Sequence, residues 1–574
     1  MYVYKTKLSK DNFLKNKENS LAREYIKQIN EACDIYRNTP IEILSFSKFR
    51  MFDETGDRNI YQTVYFERRR ILLMLFLRVW LYGEELDIVT LEDIMWSICD
   101  EYTWALPAHM PNILTDDSVS ELRIDLFACE TAHALAEIIS LCGDVIHPKV
   151  VKRCIAEIFK RVLDVFESTR QGWEGCIGNW AAVCGGAVGM TALYLVEDEN
   201  RINQIIDRVV ASCTYFVKAS TDDGACLEGV TYWEYPMQYY IGFDELLHER
   251  LGRSGIIDED KMKKMAAFPA NVCFEGGLIA CFADARHNPL LHYGILCKLN
   301  EKYNTPMPTG EYYTKIADDC ARLCGSVRNI AWFNPEMING TGKREDIFYP
   351  LGDISVLTSQ NTRFAIKGGY NLEPHNHNDV GSYIFIVDGK AVIDELGVPL
   401  YTREYFQETR YTIVPNASSL GHSLPIINGF GQSEGMDFKA DAFDFLDGEI
   451  KVSFANAYDK KAGIKELVRY AYLDKERESL RIKDCFTFET NNNTVVDRII
   501  TRYDVKLLDE KLVVILDNNI IVAKVLFLCD GTVSISEGEY PMVKAQGIQK
   551  FRMVDITVNS DEPKFEIEYM VERS

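Results

Sequence analysis

The chain is poor in histidine, in paired cysteines and in positive charge. Only nine of its 574 residues are histidine, so a place where two stand together carries information. None of the sixteen cysteines forms a Cys-x-x-Cys pair, which removes the zinc-ribbon and dithiol redox motifs. The cysteines read instead as small buried hydrophobes in a reducing compartment. Lys and Arg total 63 against 86 Asp and Glu, a net charge of −23. That balance disfavours nucleic acid and anionic membrane surfaces as partners, while a local basic or metal-bearing cleft could still hold an anionic substrate. The most apolar run, ILLMLFLRVWLYG, carries Arg78 and falls short of the roughly 20 residues that span a bilayer. The first residues, MYVYKTKLSKDNFLKNKENS, contain no apolar core of a signal peptide, so a cytoplasmic protein is expected.

What is present divides the chain in two. From about residue 20 to 330 the apolar residues recur at i, i+3, i+4 and i+7, as in DLFACETAHALAEIISLC and PKVVKRCIAEIFKRVLDVFES, which predicts amphipathic helices. WAAVCGGAVGMTALYLV is apolar on all sides and rich in small residues, as suits a helix packed tightly inside a layered helical array. No repeat of fixed period is present, so a regular solenoid is not supported. After about residue 345 short β-branched and aromatic runs alternate with Gly, Asn and Asp turns, and VDGK marks a hairpin. The absence of βαβ alternation predicts an α+β chain of two domains, residues 1–335 helical and 345–574 an antiparallel β-sandwich. NPEMINGTGKRED, within about 327–348, reads as the linker.

The stretch EPHNHNDVGSYIF holds two of the nine histidines one residue apart. Alternate residues of an extended chain face one side, which predicts that His375, His377 and Asp379 project together. Downstream, Asp394 interrupts an apolar strand pattern and His422 lies between turn residues and a new strand. His377, Asp394 and His422 could form a site of two histidines and one carboxylate for zinc, with a fourth position open. The alternative is that each polar group caps its own strand or turn.

The run HNHNDVGSYIFIVDGKAVIDELG, followed by YTREYF and RYTIVPNASSLGHSLPIINGFGQ, resembles the signature of the heparinase II/III-like polysaccharide lyases. GNWAAVCGGAVGMTALYL resembles the Asn-Trp helix start of that family, DDGACLEGVTYWEYP its Asp-Gly, Glu-Gly and tyrosine segment, and TWALPAHMPN a further element. The resemblance covers about residues 90–435. It implies an N-terminal incomplete α/α toroid followed by a C-terminal antiparallel sheet domain. It also implies cleavage of a glycosidic bond beside a uronic acid by β-elimination. The C5 proton is removed, the C4 oxygen leaves, and the sugar carboxylate must be neutralised so that an enediolate-like state can form.

On that resemblance His375 is the catalytic histidine, and Tyr235, with Tyr232 as the alternative, is the tyrosine acid or base. Asn179 is the residue that neutralises the carboxylate; capping the Trp180 helix is a compatible role for it. Trp180, Glu228, Tyr401, Arg410, Tyr411 and His109 are expected to meet substrate, although a lone histidine such as His109 in a helical domain is commonly structural. His377, Asp394 and His422 would bind a mainly structural zinc, with Asn376, Asn378 and Asp379 as support. The expected partner is an anionic uronate oligosaccharide or polysaccharide, of alginate or glycosaminoglycan type. No nucleic acid or membrane partner is expected, and a homo-oligomer is left open. A uronyl C5-epimerase and a non-catalytic carbohydrate-binding protein remain as alternatives.

Overall fold

The computed structural model describes residues 2–110, 112–116, 119–338, 340, 345–373, 375–401, 405, 407, 409–541 and 547–574. Two compact units result. The first comprises residues 1–220, 232–266 and 290–340, the second 221–231, 267–289 and 341–574. Residues 221–231 and 267–289, which the sequence reading placed in the helical half, therefore pack with the sheets.

The first unit is helical. Its main helices are α1 (Ser20–Tyr36), α2 (Asn59–Tyr82), α3 (Glu85–Cys99), α4 (Leu126–Cys142), α5 (Pro148–Ile158), α6 (Asn179–Leu195), α7 (Glu199–Ala219) and α8 (Val230–Leu251). The amphipathic α1 buries Leu21, Tyr25, Ile29 and Cys33 along one stripe. In α6 every residue from Ala181 to Leu195 is buried, as its apolar composition predicts. The small residues are needed there: a Cβ on Gly186 would stand 2.7 Å from the Tyr239 carbonyl oxygen of α8. Glycine thus lets α6 and α8 touch by their backbones. Among the described residues no helix is long and apolar enough to cross a membrane.

The second unit is built from antiparallel sheets. β1 (Ile347–Tyr349), β2 (Ile354–Thr358), β3 (Thr362–Lys367), β4 (Tyr383–Val387) and β5 (Lys390–Ile393) form a five-stranded meander. The predicted VDGK hairpin joins β4 to β5. Asp388 (φ 48°) and Gly389 (φ 71°) both occupy the left-handed region that a two-residue turn of this hand requires. An eight-stranded sheet has Ile464–Asp474, Ser479–Phe488 and Lys564–Arg573 at its middle, and a four-stranded sheet includes Asn493–Thr501 and Pro425–Ile427. Phe364, Phe385, Ile482, Phe486, Ile499 and Val571 belong to one core shared by these sheets.

The linker begins later than predicted, because Leu323–Ala331 is helical and Pro335–Met337 makes a 3-10 turn. Part of the predicted linker, residues 339 and 341–344, lies outside the described residues. All sixteen cysteines are free thiols and eleven are buried, in keeping with their reading as hydrophobes.

Candidate active site

In the sheet unit the histidine stretch is not a strand. Residues 375–379 are turn and irregular backbone, and β4 begins only at Tyr383. The predicted alternation is therefore corrected. His375 has φ 54°, a left-handed conformation costly for a residue with a Cβ. The two imidazoles nevertheless meet a common partner. That partner is Asp284, which the sequence reading missed. His375 Nδ1 lies 3.0 Å from Asp284 Oδ2, and His377 Nε2 lies 3.1 Å from Oδ1. The Tyr401 hydroxyl donates to Oδ2 at 2.7 Å and the Tyr405 hydroxyl to Oδ1 at 2.5 Å. The Asp284 carboxylate is fully buried. Burial alone would raise its pKa, but the hydrogen bonds and charges of His375 and His377 outweigh it and hold the group well below the usual carboxylate range.

Several predicted residues gather around this pair. The His375 side chain keeps 29% of its surface exposed, and its Nε2 is 3.8 Å from Glu228. Burial, opposed by the charge of His375, raises the Glu228 carboxyl. The Tyr401 ring lies 6.4 Å from the His375 ring at 27°. Arg410 donates to the Asn376 carbonyl and side-chain oxygens at 3.3 and 3.2 Å, and Tyr411 donates to the same side-chain oxygen at 2.9 Å. The Arg410 guanidinium also stands 4.5 Å from the centre of the Tyr411 ring. Arg410 and Tyr411 are thereby fastened to the residue beside His375.

The metal set needs a correction. His377, Asp379 and His422 can each present one ligand atom within 4.8 Å of the others, and all three are buried. Asp394 is not in this group. Its Oδ1 accepts the Glu395 backbone N–H at 2.9 Å and its Oδ2 is 3.4 Å from Arg502. Burial, only partly offset by Arg502, raises its carboxyl to about 6. The acid that lies beside His377 and His422 among the described residues is Asp379, two residues from His377 in sequence. Neither Asp379 oxygen receives an aligned hydrogen bond, though the Lys367 ammonium forms an ion pair with Oδ1 at 2.9 Å. His422 Nδ1 pairs with Glu395, and its Nε2 lies 2.8 Å from the Asn416 carbonyl oxygen.

In the helical unit a second cluster surrounds Tyr235 of α8. Its hydroxyl donates to Glu130, and the Arg322 guanidinium covers its ring at 3.7 Å. Arg322 also reaches Glu130 at 3.3 Å and Asp318 at 2.5 Å. Burial pushes the Glu130 carboxyl up to about 7 against the pull of Arg322 and Tyr235, and burial and the Glu130 charge push the Tyr235 phenol well up. Glu130 and Arg322 line a small cavity of about 20 Å³ together with Arg69, Phe127 and Thr131. Tyr232 is three residues before Tyr235 on α8, one turn along the helix.

Asn179 is the first residue of α6, and the cap is Gly178 with φ 146°. The predicted capping role for Asn179 is therefore not the one observed, and its half-buried carboxamide is left for other contacts. Trp180 packs against His109 with ring centres 5.1 Å apart. His109 also stacks on Phe127 at 5.8 Å and pairs through Nδ1 with Asp125 Oδ2 at 2.7 Å. Asp125 is the N-cap of α4, so one buried acid fixes both the helix start and the imidazole.

No family model and no curated protein matches this chain. Solved structures do. Heparinase III matches over 99% of this chain and 92% of its own, with a TM-score of 0.64 at 12% identity. The heparan sulfate lyase HepC from Pedobacter heparinus covers 98% of this chain and 92% of its own, with a TM-score of 0.57 and 12% identity. The chondroitin AC lyase of Streptomyces coelicolor A3 covers 95% and 83%, with a TM-score of 0.51 and 8% identity. The chain thus has the fold of these proteins, helices first and antiparallel sheets after.

Proposed function

We propose that this chain is a lyase that cleaves a uronic-acid-containing glycan, of glycosaminoglycan type, by β-elimination. The observation that carries the reading is His375: a partly exposed imidazole on a left-handed backbone, its inner nitrogen on a buried carboxylate and its outer nitrogen towards Glu228. A histidine held in this way is placed to act as a general acid or base. The fold shared with heparinase III and with heparan sulfate and chondroitin AC lyases supports the substrate class.

In the proposed reaction His375 takes the C5 proton or delivers one to the leaving C4 oxygen, and Tyr235 carries the complementary transfer. Asn179 neutralises the sugar carboxylate by hydrogen bonding. Arg410 and Tyr411 recognise the anionic sugar, for which a planar guanidinium is well suited. Glu228, Tyr401, Trp180 and His109 complete the substrate contacts. The absence of a Lys- or Arg-rich stretch near the motifs favours a lightly sulfated glycan.

A zinc ion is proposed at His377, Asp379 and His422. Asp379, whose oxygens receive no aligned hydrogen bond, and His377, whose Nε2 faces Asp284 and leaves Nδ1 to ligate, fit a divalent cation, and His422 would join them by giving up one of its two acceptors, Glu395 or the Asn416 carbonyl. Its contribution would be structural, tying the loop after β3 to the segment that precedes Pro425.

Incubation with a panel of uronate polymers and oligomers tests the function. The expected product is a conjugated unsaturated uronate that absorbs in the ultraviolet, which a C5-epimerase would not make. His375→Ala should abolish product formation while the circular dichroism spectrum stays unchanged. Full activity of that variant would remove His375 from the reaction, and product-free incubations throughout would remove the lyase reading.

A further inference from the structure

We propose that Asp284 is the positioning residue of the reaction, fixing the proton of His375 on Nδ1 so that Nε2 carries the reactive lone pair. This rests on the lyase reading for its catalytic consequence, but the tautomer itself is a property of the folded protein.

An ionised carboxylate only accepts hydrogen bonds, so any imidazole nitrogen bonded to it must be a donor. His375 Nδ1 is 3.0 Å from Asp284 Oδ2. A neutral His375 therefore carries its single proton on Nδ1, leaving the lone pair on Nε2. The Tyr401 hydroxyl donates to Oδ2 and the Tyr405 hydroxyl to Oδ1, beside the His375 and His377 nitrogens, so that each oxygen has two contacts. Those four bonds also leave the carboxylate no room to rotate, so the direction of the His375 ring is set with its protonation pattern.

The chemistry follows with its protons in balance. The Nε2 lone pair takes the C5 proton, and the electron pair of the C5–H bond passes into the sugar carboxylate as an enediolate. That pair then forms the C4–C5 double bond as the C4–O bond breaks, and the leaving oxygen is protonated by the complementary acid. The imidazolium formed on His375 is a full positive charge 3.0 Å from a buried anion, which stabilises it. If His375 instead delivers the proton, the same anion stabilises the imidazolium that precedes delivery.

A merely structural Asp284 would also be buried and well bonded. The two roles separate on the nitrogen signals of His375. Histidine-selective 15N labelling of the full chain, with His375 assigned by comparison with His375→Gln, reads the tautomer at a pH where the ring is neutral. The wild-type protein is expected to show a protonated Nδ1 and an unprotonated Nε2. A protonated Nε2 in the wild type overturns the proposal without any variant being needed. In Asp284→Asn, whose amide can donate as well as accept, the Nδ1–H preference should be lost, and kcat should fall about 10²- to 10⁴-fold with KM changed only a few-fold. An unchanged tautomer, or a kcat within a few-fold of wild type, overturns it. A wild type with the expected tautomer and no activity on any glycan would instead sink the lyase reading and leave the tautomer assignment standing.

Discussion

Glu130 of the helical unit and Asp284 of the sheet unit are both carboxylates removed from water beside a group proposed to move protons. They come out with opposite acidities. Burial is the largest influence on each, and it pushes both up. Glu130 has two partners, the Tyr235 hydroxyl and an Arg322 nitrogen at 3.3 Å, and ends at about 7. Asp284 has four donors at 2.5–3.1 Å and ends well below the usual range. The hydrogen bonds and charges of two imidazoles, rather than depth, set Asp284 apart from Glu130. Glu130 can accept a proton near neutrality, and Asp284 only organises the protons of others.

The strongest way to press this contrast is at the aromatic donor of the weaker acid. Tyr235→Phe should lower turnover about 10²- to 10⁴-fold if the hydroxyl moves a proton, measured as ultraviolet-absorbing product. Retained turnover would shift the role to Tyr232. Next is the acid itself. The folded protein binds a proton at Glu130 more tightly than the unfolded chain does, so stability falls as pH rises from about 4.5 to 7. The full drop would be on the order of 3 kcal/mol, since each pKa unit corresponds to about 1.4 kcal/mol. In Glu130→Gln urea unfolding should lose most of that slope, and an unaltered slope would mean that Glu130 titrates normally.

Asp284 should respond differently. Tyr405→Phe removes one of its four donors and should cost about 1.5–3 kcal/mol of unfolding free energy, the usual value of a hydrogen bond to a buried charge. A cost near zero would show that three donors suffice. The smallest test concerns a third carboxylate, Asp379, whose oxygens receive no aligned hydrogen bond. Asp379→Asn should lower zinc affinity at least 10-fold, whereas Asp394→Asn should leave it within a few-fold, by metal analysis of the purified protein. The reverse result would restore Asp394 as the ligand.

The helical and sheet halves were legible because each rests on a local period: the stripe of α1, the all-round burial of α6, the VDGK turn. Sequence also pointed to the neighbourhoods of His375, His377 and His422, where rare residue types stand close together. Asp284 escaped because its partners lie 91 or more residues away, and no periodicity links a loop acid to a distant histidine. The available signal was weak: one charge in the otherwise apolar run IACFADA. Asp394 is the opposite case. A polar residue in a strand pattern reads as a ligand, and in the fold its Oδ2 stands 3.4 Å from Arg502. The strand rule also failed at residues 375–379, where side chains reach one carboxylate through turns.

The left-handed backbone of His375 (φ 54°) makes glycine the replacement best suited to that position. Removing the imidazole as His375→Gly would relieve on the order of 1 kcal/mol of conformational strain. It would also leave a ring-sized gap against the Asp284 carboxylate, open on the side where His375 is exposed. Such a hole is a receptor for the missing ring: free imidazole in the buffer could enter it, donate to Asp284 and do the work of the side chain it replaces.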